Sequence, residues 1–451
     1  MEKILLIDYG STFTKVVAVD ISQAKLLGTA SAYTTVETDV SEGLENALGE
    51  LIKQTGKLKF HKQLACSSAA GGFRMVVSGL VPELTAKAAS LASMGAGAKI
   101  VGLYSHELIE NDINEIIDNK PDILLLTGGT DGGNKSCIIH NAEMLASVTG
   151  EFPIIAAGNR NSNREIKKIF AHRRIHICDN VMPKIDTLNI EPAKKLIREI
   201  FLERIVYAKG LGNTVLMPTP AAALAATQLL ATETGDLIAI DVGGATTDVY
   251  SITEGAPKTA STIYKGLPEP FAKRTVEGDI GMRYSAGGIL AATGISRIAK
   301  LAGMSEEKSL ERVDYITKHT DTLPENEDQK NLDFALAAMA IETATIRHAG
   351  LLEEVYTTSG RALVQTGKDL TEVKTIVMTG GTLVNSGRVE ELAKFALYNN
   401  NEPQSLRPKK VKALIDENYI LAAMGLLSTH YPTQALEIMK ANMRGSGDGI
   451  D

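Results

Sequence analysis

Short, continuous apolar runs, each closed by a polar or glycine-rich turn, set the rhythm of this chain. Ile4-Leu5-Leu6-Ile7 is apolar at four successive positions, the pattern of a strand buried on both faces, and the turn residues Tyr9-Gly10-Ser11 close it behind Asp8. A return strand is expected from Lys15 to Asp20. The same grammar recurs far downstream. Leu237-Ile238-Ala239-Ile240 leads into Asp241-Val242-Gly243-Gly244-Ala245-Thr246-Thr247-Asp248, and Val249 to Ile252 returns. The pattern predicts an internal repeat of strand, Asp-led hairpin and strand.

Between the two copies, over residues 97–200, strand-like segments alternate with helix-like ones. The strands are expected at Ile100 to Leu103, Ile123 to Leu126, Pro153 to Ala156 and Ile175 to Ile177. That alternation reads as a parallel α/β sheet inserted into the first half. Flexible punctuation flanks it at Met94 to Gly97 and at Lys209 to Asn213. Past the second hairpin a polar loop (Thr320 to Lys330) precedes a long helix (Leu332 to Leu352), and a strand and turn follow at Ile376 to Thr382. Asn400 to Lys410 reads as a surface loop and Arg444 to Asp451 as a disordered tail. The expected organisation is therefore a first half (1–96), the insert (97–200), a connecting helix (201–235), a second half (236–410), a C-terminal connecting helix (411–443) and the tail (444–451).

Composition narrows the classes. A chain of 451 residues exceeds one ordinary core and can bury enough surface without staples. The absence of Trp, an aromatic content of 5% and a net charge of -7 argue against a nucleic-acid surface, which needs stacking platforms and a basic excess. The three cysteines, Cys66, Cys137 and Cys178, stand far apart and form no C-x-x-C, so neither a zinc knuckle nor a disulfide framework is signalled. No signal peptide opens the sequence and no stretch approaches a membrane span, so the chain reads as cytoplasmic.

The repeat carries the chemistry. A nucleoside triphosphate needs backbone N–H groups at close range and a divalent cation held by hard oxygens, and an Asp at a strand end followed by Gly and hydroxyl residues supplies both. Asp8-x-Gly10-Ser11-Thr12 and Asp241-x-Gly243-Gly244-x-Thr246 each meet that requirement. One copy alone is equally well an ordinary tight turn, since Asp and Gly favour turns in their own right. Two copies with matching strands point to phosphate. Other nucleotide motifs fail: Gly56-Lys57 and Gly367-Lys368 lack the following hydroxyl of a Walker A loop, and no G-x-G-x-x-G follows a strand. His106-Glu107 lacks the second histidine of a zinc-protease helix.

With these residues in place the chain resembles the superfamily of actin, the sugar kinases and the large heat-shock chaperones. Asp8 to Lys15 resembles its first phosphate hairpin in the actin form, Asp241 to Asp248 its second, and Met378-Thr379-Gly380-Gly381-Thr382 its adenosine turn. Met217 to Ala225 and Ala422 to Gly425 resemble its two connecting helices. The resemblance implies an α/β, actin-like ATPase fold of two pseudo-repeated, ribonuclease-H-like halves that binds ATP and Mg²⁺. It implies that Asp8 and Asp241 position the metal and orient the attacking water. It assigns the nucleotide to Gly10, Ser11, Thr12, Lys15, Gly243, Gly244, Thr246, Thr247, Gly380, Gly381 and Thr382. A rival turn, Thr127-Gly128-Gly129-Thr130, nearly duplicates the adenosine turn but precedes the second hairpin, against the family order. Asp279, in Glu277-Gly278-Asp279-Ile280-Gly281, stands where the chaperone branch has its gate loop, and reads equally as a solvated turn.

The whole chain further resembles the MutL-type accessory ATPases associated with adenosylcobalamin-dependent glutamate mutase. That likeness rests on Asp8 to Lys15, on Ala69-Ala70-Gly71-Gly72-Phe73-Arg74-Met75 and Gly79 to Thr85, on Leu124 to Asn134, on Ala156 to Asn159 and on Asp179 to Pro183. It implies an ATPase that reactivates or protects a mutase of the glutamate or methylaspartate type; the insert, which an ATPase core does not need for hydrolysis, reads as the docking module, and neither nucleic acid nor membrane is expected as partner. No Asp-x-His-x-x-Gly exists, so the chain is not expected to be the cobalamin enzyme itself. A small-molecule kinase of the same fold stays open as the alternative, its base sought near Asp39 or Glu83. A filament-forming relative is another reading. A dehydratase activator would need a cluster-binding cysteine that the sequence does not place beyond Cys178.

Overall fold

The computed structural model describes residues 2–10, 12–34, 40–68, 73–148, 152–203, 215–358, 360–446 and 449–450. Ser11, Asp39 and the Ala69 to Gly72 motif lie outside them. The chain divides into two compact units, residues 1–65, 222–265 and 271–451 forming one and residues 66–221 with 266–270 the other.

The larger unit holds both copies of the repeat. Strand β1 (Lys3–Tyr9) turns back on β2 (Phe13–Asp20), which pairs antiparallel with β3 (Lys25–Tyr33), and β4 (Lys62–Ser67) flanks β1 on the other side. Ile4 to Ile7 are at most 2% exposed, so the apolar run is buried on both faces as its composition requires.

Within the smaller unit five strands, β5 (Arg74–Gly79), β6 (Lys99–Ser105), β7 (Ile123–Leu126), β8 (Ile154–Ala156) and β9 (Ile175–Ile177), form an entirely parallel sheet. Their order, β6-β5-β7-β8-β9, places the first strand inside the sheet, and helices return the chain between strands in a doubly wound pattern. Leu124, Leu126, Ile138, Leu145 and Ile166 centre its core. A further strand, β10 (Val215–Pro218), leads into the helix Thr219–Thr234.

The second copy of the repeat opens the rest of the larger unit. Here β11 (Leu237–Val242) turns back on β12 (Thr247–Ile252), while β13 (Thr262–Lys265) belongs to a small three-stranded sheet and β14 (Ala272–Glu277) pairs with β12. After the helix Glu327–His348, β15 (Leu351–Thr357) and β16 (Gly360–Thr366) complete the small sheet. Then β17 (Thr375–Thr379) and β18 (Lys412–Ile415) join β11 in parallel, and β19 (Arg444–Gly445) closes the edge. The order is β14-β12-β11-β17-β18-β19. Glu327–His348 is apolar nearly all round, with Ala335, Ala337, Ala338, Ala340 and Ala344 fully buried, and lies in the core beside this sheet.

Several boundaries differ from those expected. The parallel unit is larger than 97–200, because Met75, Val76 and Val77, read as part of the first half, sit fully buried in β5 inside its sheet. The long helix starts at Glu327, capped by the Asn326 side chain accepting from Gln329 N at 3.0 Å, so part of the polar loop is helical. Residues 411–443 are not one connecting helix but strand β18 followed by the helices Leu421–Ser428 and Pro432–Asn442. The tail is not disordered across its described residues: β19 pairs with β18, Ile450 bridges Val411 at 7% exposure, and Ala413 N donates to Ser446 Oγ at 3.0 Å.

A close approach fixes the helix Leu421–Ser428 on the helix Thr219–Thr234. A Cβ on Gly425 would overlap the carbonyl of Ala222, so only glycine permits this contact. Gly425→Ala is expected to lower stability by about 1–3 kcal/mol in urea denaturation. Gly287→Ala, on an exposed helical position with nothing within 4 Å of the added carbon, is expected to be neutral or to stabilise by up to about 1 kcal/mol. Equal effects would contradict this packing.

Candidate functional site

The two hairpins share one geometry. Asp8 pairs across the ladder with Lys15, and Asp241 with Asp248. Each turn is closed by a glycine N–H, Gly10 donating to Phe13 O at 3.2 Å and Gly243 to Thr246 O at 2.9 Å. The charge opposite the leading aspartate is inverted between the copies, lysine in the first and aspartate in the second. Asp248 is neutralised locally, because Arg274 Nε and Nη2 both lie 2.7 Å from its Oδ1 and both residues are buried. Asp241 has no such neighbour on its own hairpin, and its cation comes from the other copy.

That cation is Lys15. Burial alone would lower its pKa, but Asp8, Asp241, the Tyr419 hydroxyl and Asp416 outweigh burial and raise it. Its Nζ lies 5.1 Å from the centroid of the Tyr419 ring. Burial pushes the Asp241 carboxyl up to about 6; Lys15 opposes that rise, and Asp248, Asp8 and Asp416 add to it.

Asp416, at the end of β18, was not among the residues expected at the site. It is fully buried and accepts from Ile420 N at 2.9 Å, Leu421 N at 3.0 Å and Thr379 Oγ1 at 3.1 Å, so it caps the helix Leu421–Ser428. Burial raises its pKa, against those hydrogen bonds and Lys15. A sequence signal was present: Ala413-Leu414-Ile415 ends in Asp416 as the other two apolar runs end in Asp8 and Asp241. Tyr419 gave none, since its place follows from a left-handed backbone (φ 52°) that only the fold reveals.

Thr12, Gly244 and Thr246 mark where the hairpin tips meet. A Cβ on Gly244 would stand 3.2 Å from Thr12 Oγ1, and that hydroxyl is buried without a hydrogen-bond partner among the described residues. Thr246 Oγ1 lies 3.2 Å from Asp248 Oδ2. The segment behind them is fixed by Arg283, whose N donates to Gly244 O at 2.8 Å while its guanidinium pairs with Asp333 at 2.7 Å. Thr247 is fully buried and its hydroxyl donates to Ile280 O at 3.0 Å, so that hydroxyl is turned into the core. Asp279 is 3.3 Å from Arg347, which also pairs with Glu277 at 2.5 Å.

The glycine turn after β17 has two different members. Gly380 has φ 112°, and a Cβ there would overlap Val242, so its glycine is structural. Gly381 is exposed, with only the Tyr419 hydroxyl 4.0 Å from an added Cβ, and Thr382 follows it in the helix Gly381–Asn385. The rival turn belongs to the smaller unit, where Thr127 Oγ1 donates to Ser78 O at 2.9 Å and the Asn159 side chain ties Gly132, Gly133 and Asn134 together. Glu83 lies there too, in the short helix Pro82–Ala86. Burial pushes the thiols of Cys137 and Cys178 up to about 11.

A family model described as MutL protein matches residues 4–443. Protein MutL of Clostridium tetanomorphum is 45% identical over 456 residues, which span 98% of this chain and 99% of that one. This chain belongs to the MutL family. Its described residues form an α/β fold with mixed and parallel sheets. Solved structures similar to it include nucleotide-free acetone carboxylase, at 13% identity over 94% of this chain and 70% of that one with a TM-score of 0.41. Component A of the (R)-2-hydroxyglutaryl-CoA dehydratase of Acidaminococcus fermentans is 10% identical, with coverage of 98% and 99% and a TM-score of 0.29. Ligand-bound xylulose kinase from Lactobacillus acidophilus is 12% identical, with coverage of 100% and 93% and a TM-score of 0.36. No helix of this MutL-family chain among the described residues is long and apolar enough to cross a membrane.

The charge balance is open to a direct check. In a carboxyl-carbon NMR titration of the ligand-free protein, Asp241 is expected to titrate with a midpoint of about 6. Because Lys15 holds that value down, Lys15→Met is expected to move the midpoint further up. An unshifted midpoint in that variant would separate Lys15 from Asp241.

Proposed function

We propose that this chain is an ATP-binding and ATP-hydrolysing accessory protein that reactivates or protects an adenosylcobalamin-dependent mutase of the glutamate or methylaspartate type. The observations that carry the ATP half are the Thr12 hydroxyl at the meeting point of two hairpins, without a hydrogen-bond partner among the described residues, and the Lys15 ammonium group on which three carboxylates act. The mutase half is supported by family membership and by the full-length likeness to a protein named MutL.

The residues present fit a nucleotide with Mg²⁺. Thr12 Oγ1, Lys15 and the amide of Gly244 would supply donors and positive charge for phosphate oxygens, Gly10 and Gly243 close the turns behind them, and the exposed Gly381 leaves the backbone open to the adenosine. Asp8 and Asp241 would hold Mg²⁺ through its water; among the described residues no three His, Cys, Asp or Glu side chains converge as direct ligands. The bound cation would neutralise charge between the outer phosphates. Asp241, with a pKa raised to about 6, is a stronger base than an ordinary carboxylate while staying ionised at neutral pH, which suits it to orient and deprotonate water. Lys15 stabilises negative charge on the transferred group. The smaller unit is the docking module for the mutase, and the nucleotide state alters its affinity.

Asp241→Ala is expected to keep the fold and lose hydrolysis by about a hundredfold or more in a phosphate-release assay, and wild-type turnover would remove Asp241 from the mechanism. Gly381→Val is expected to leave the unfolding midpoint unchanged and to weaken ATP binding about tenfold or more by calorimetry, whereas unchanged affinity would move the adenosine elsewhere. For the partner, titration of purified mutase against the chain with a non-hydrolysable ATP analogue and with ADP is expected to give different affinities. Equal affinities would leave ATP with no means of acting on the mutase.

A further inference from the structure

The small sheet, in the order β13-β16-β15, turns one face to the body of the larger unit and the other to solvent. Gln365, on the inner face, is 1% exposed, and its Nε2 donates to Gly255 O and to Gly367 O, each at 2.8 Å. Leu352 N, on the next strand, donates to Gln404 O at 2.8 Å and ties the base of β15 down. Side chains alternate along a strand, and the register sets Tyr264 and Leu352 beside Gln365. Ile263, Leu351, Val355, Ala362 and Val364 therefore stand on the outer face. None of the five is buried, and Ile263 is 52% exposed and Leu351 42%.

A sheet with one face in water ordinarily carries polar side chains there. Here the apolar positions are contiguous, Ile263 lying beside Val364 and Ala362 beside Val355. A patch of that kind marks an interaction surface. Two charges frame it. Ile263, Val364 and Glu353 form one row across the strands, and Lys265, Thr366 and Leu351 the next. Lys265 and Glu353 thus occupy opposite corners, on the two outer strands. Both are exposed and neither forms an ion pair among the described residues, whereas Glu354 and Arg361, turned to the other face, pair with each other.

We propose that this face is a self-association surface whose partner is a second copy of this chain. The charge pattern makes the choice. A two-fold axis lying in the face, across β16, sets Lys265 of each copy on the partner subunit's Glu353 and Ile263 against the partner subunit's Val364. One apolar patch then covers another, and each unpaired charge meets its opposite. A different protein would have to supply both the patch and the crossed charges, while a second copy carries them by symmetry. The sheet is small beside the roughly 800 Å² that each partner contributes to a stable interface, so the association is weak, with a Kd of about 10–100 µM.

Sedimentation velocity of the full chain from about 1 to 200 µM tests this, with monomer expected at the low end and dimer at the high end. Lys265→Glu and Glu353→Lys, each of which sets like charges opposite one another, are expected to weaken the dimer about tenfold or more. The two together are expected to restore it to within about threefold, and Ile263→Asp to abolish it over the same range. All three side chains are exposed, so the urea midpoint of each variant is expected to match the parent. A chain that stays monomeric at about 200 µM would overturn the proposal. So would a dimer that both single reversals leave intact, or one that the combined variant does not regain. A monomer that binds purified mutase and loses that binding in Ile263→Asp would give the face to the mutase, and overturn the proposal as well.

Discussion

The ammonium group of Lys15 is the constraint around which the larger unit is arranged. Three strands, β1, β11 and β18, end in aspartates whose charges act on it, and two of those carboxyls, Asp241 and Asp416, are pushed up by burial. Like charges gathered in a low-dielectric site repel unless a cation lies among them. Each aspartate finds a different answer. Asp416 spends its oxygens on the N-terminus of the next helix, Asp248 is held by Arg274, and Asp241 depends on a lysine from the other copy of the repeat. The two halves are thereby tied by charge as well as by the close contact of Thr12 with Gly244.

The duplication explains how such a site arises from simple parts. A continuous apolar strand must be buried on both faces, so its C-terminal end is the first place where the chain can present a charge at the edge of the sheet. Parallel pairing of β11, β17 and β18 brings Asp241, Thr379 and Asp416 to one such edge, and the glycines that follow keep the backbone thin there. The inverted charge, lysine in one hairpin and aspartate in the other, makes the copies complementary where identical copies would repel.

Much of this was legible in the residues. The apolar runs located β1, β11 and the strands from β6 to β9 because buried strands have no polar alternative, and the Asp-Gly turns located the hairpins. Asp416 was legible in principle, since Ala413 to Ile415 repeats the same grammar, but no glycine follows it and its helix cap hides the pattern. Long-range partners were not legible: Arg274 for Asp248, Arg283 for Asp333 and the left-handed turn that brings Tyr419 to Lys15 follow from tertiary packing alone. The inward turn of the Thr247 hydroxyl was not legible, because a hydroxyl in an Asp-Gly hairpin looks the same in sequence whether it faces solvent or core. The interior position of β5 was not foreseen because the insert was expected to begin only at residue 97, after it.

The proposed function requires that the two hairpins act together as a single phosphate-holding site. Amide hydrogen exchange with and without Mg-ATP tests it segment by segment. Nucleotide is expected to slow exchange in residues 8–15 and 241–248 together, and in the turn at 379–382. Protection confined to one hairpin, or found at 127–134 in the smaller unit with both hairpins unchanged, would contradict it.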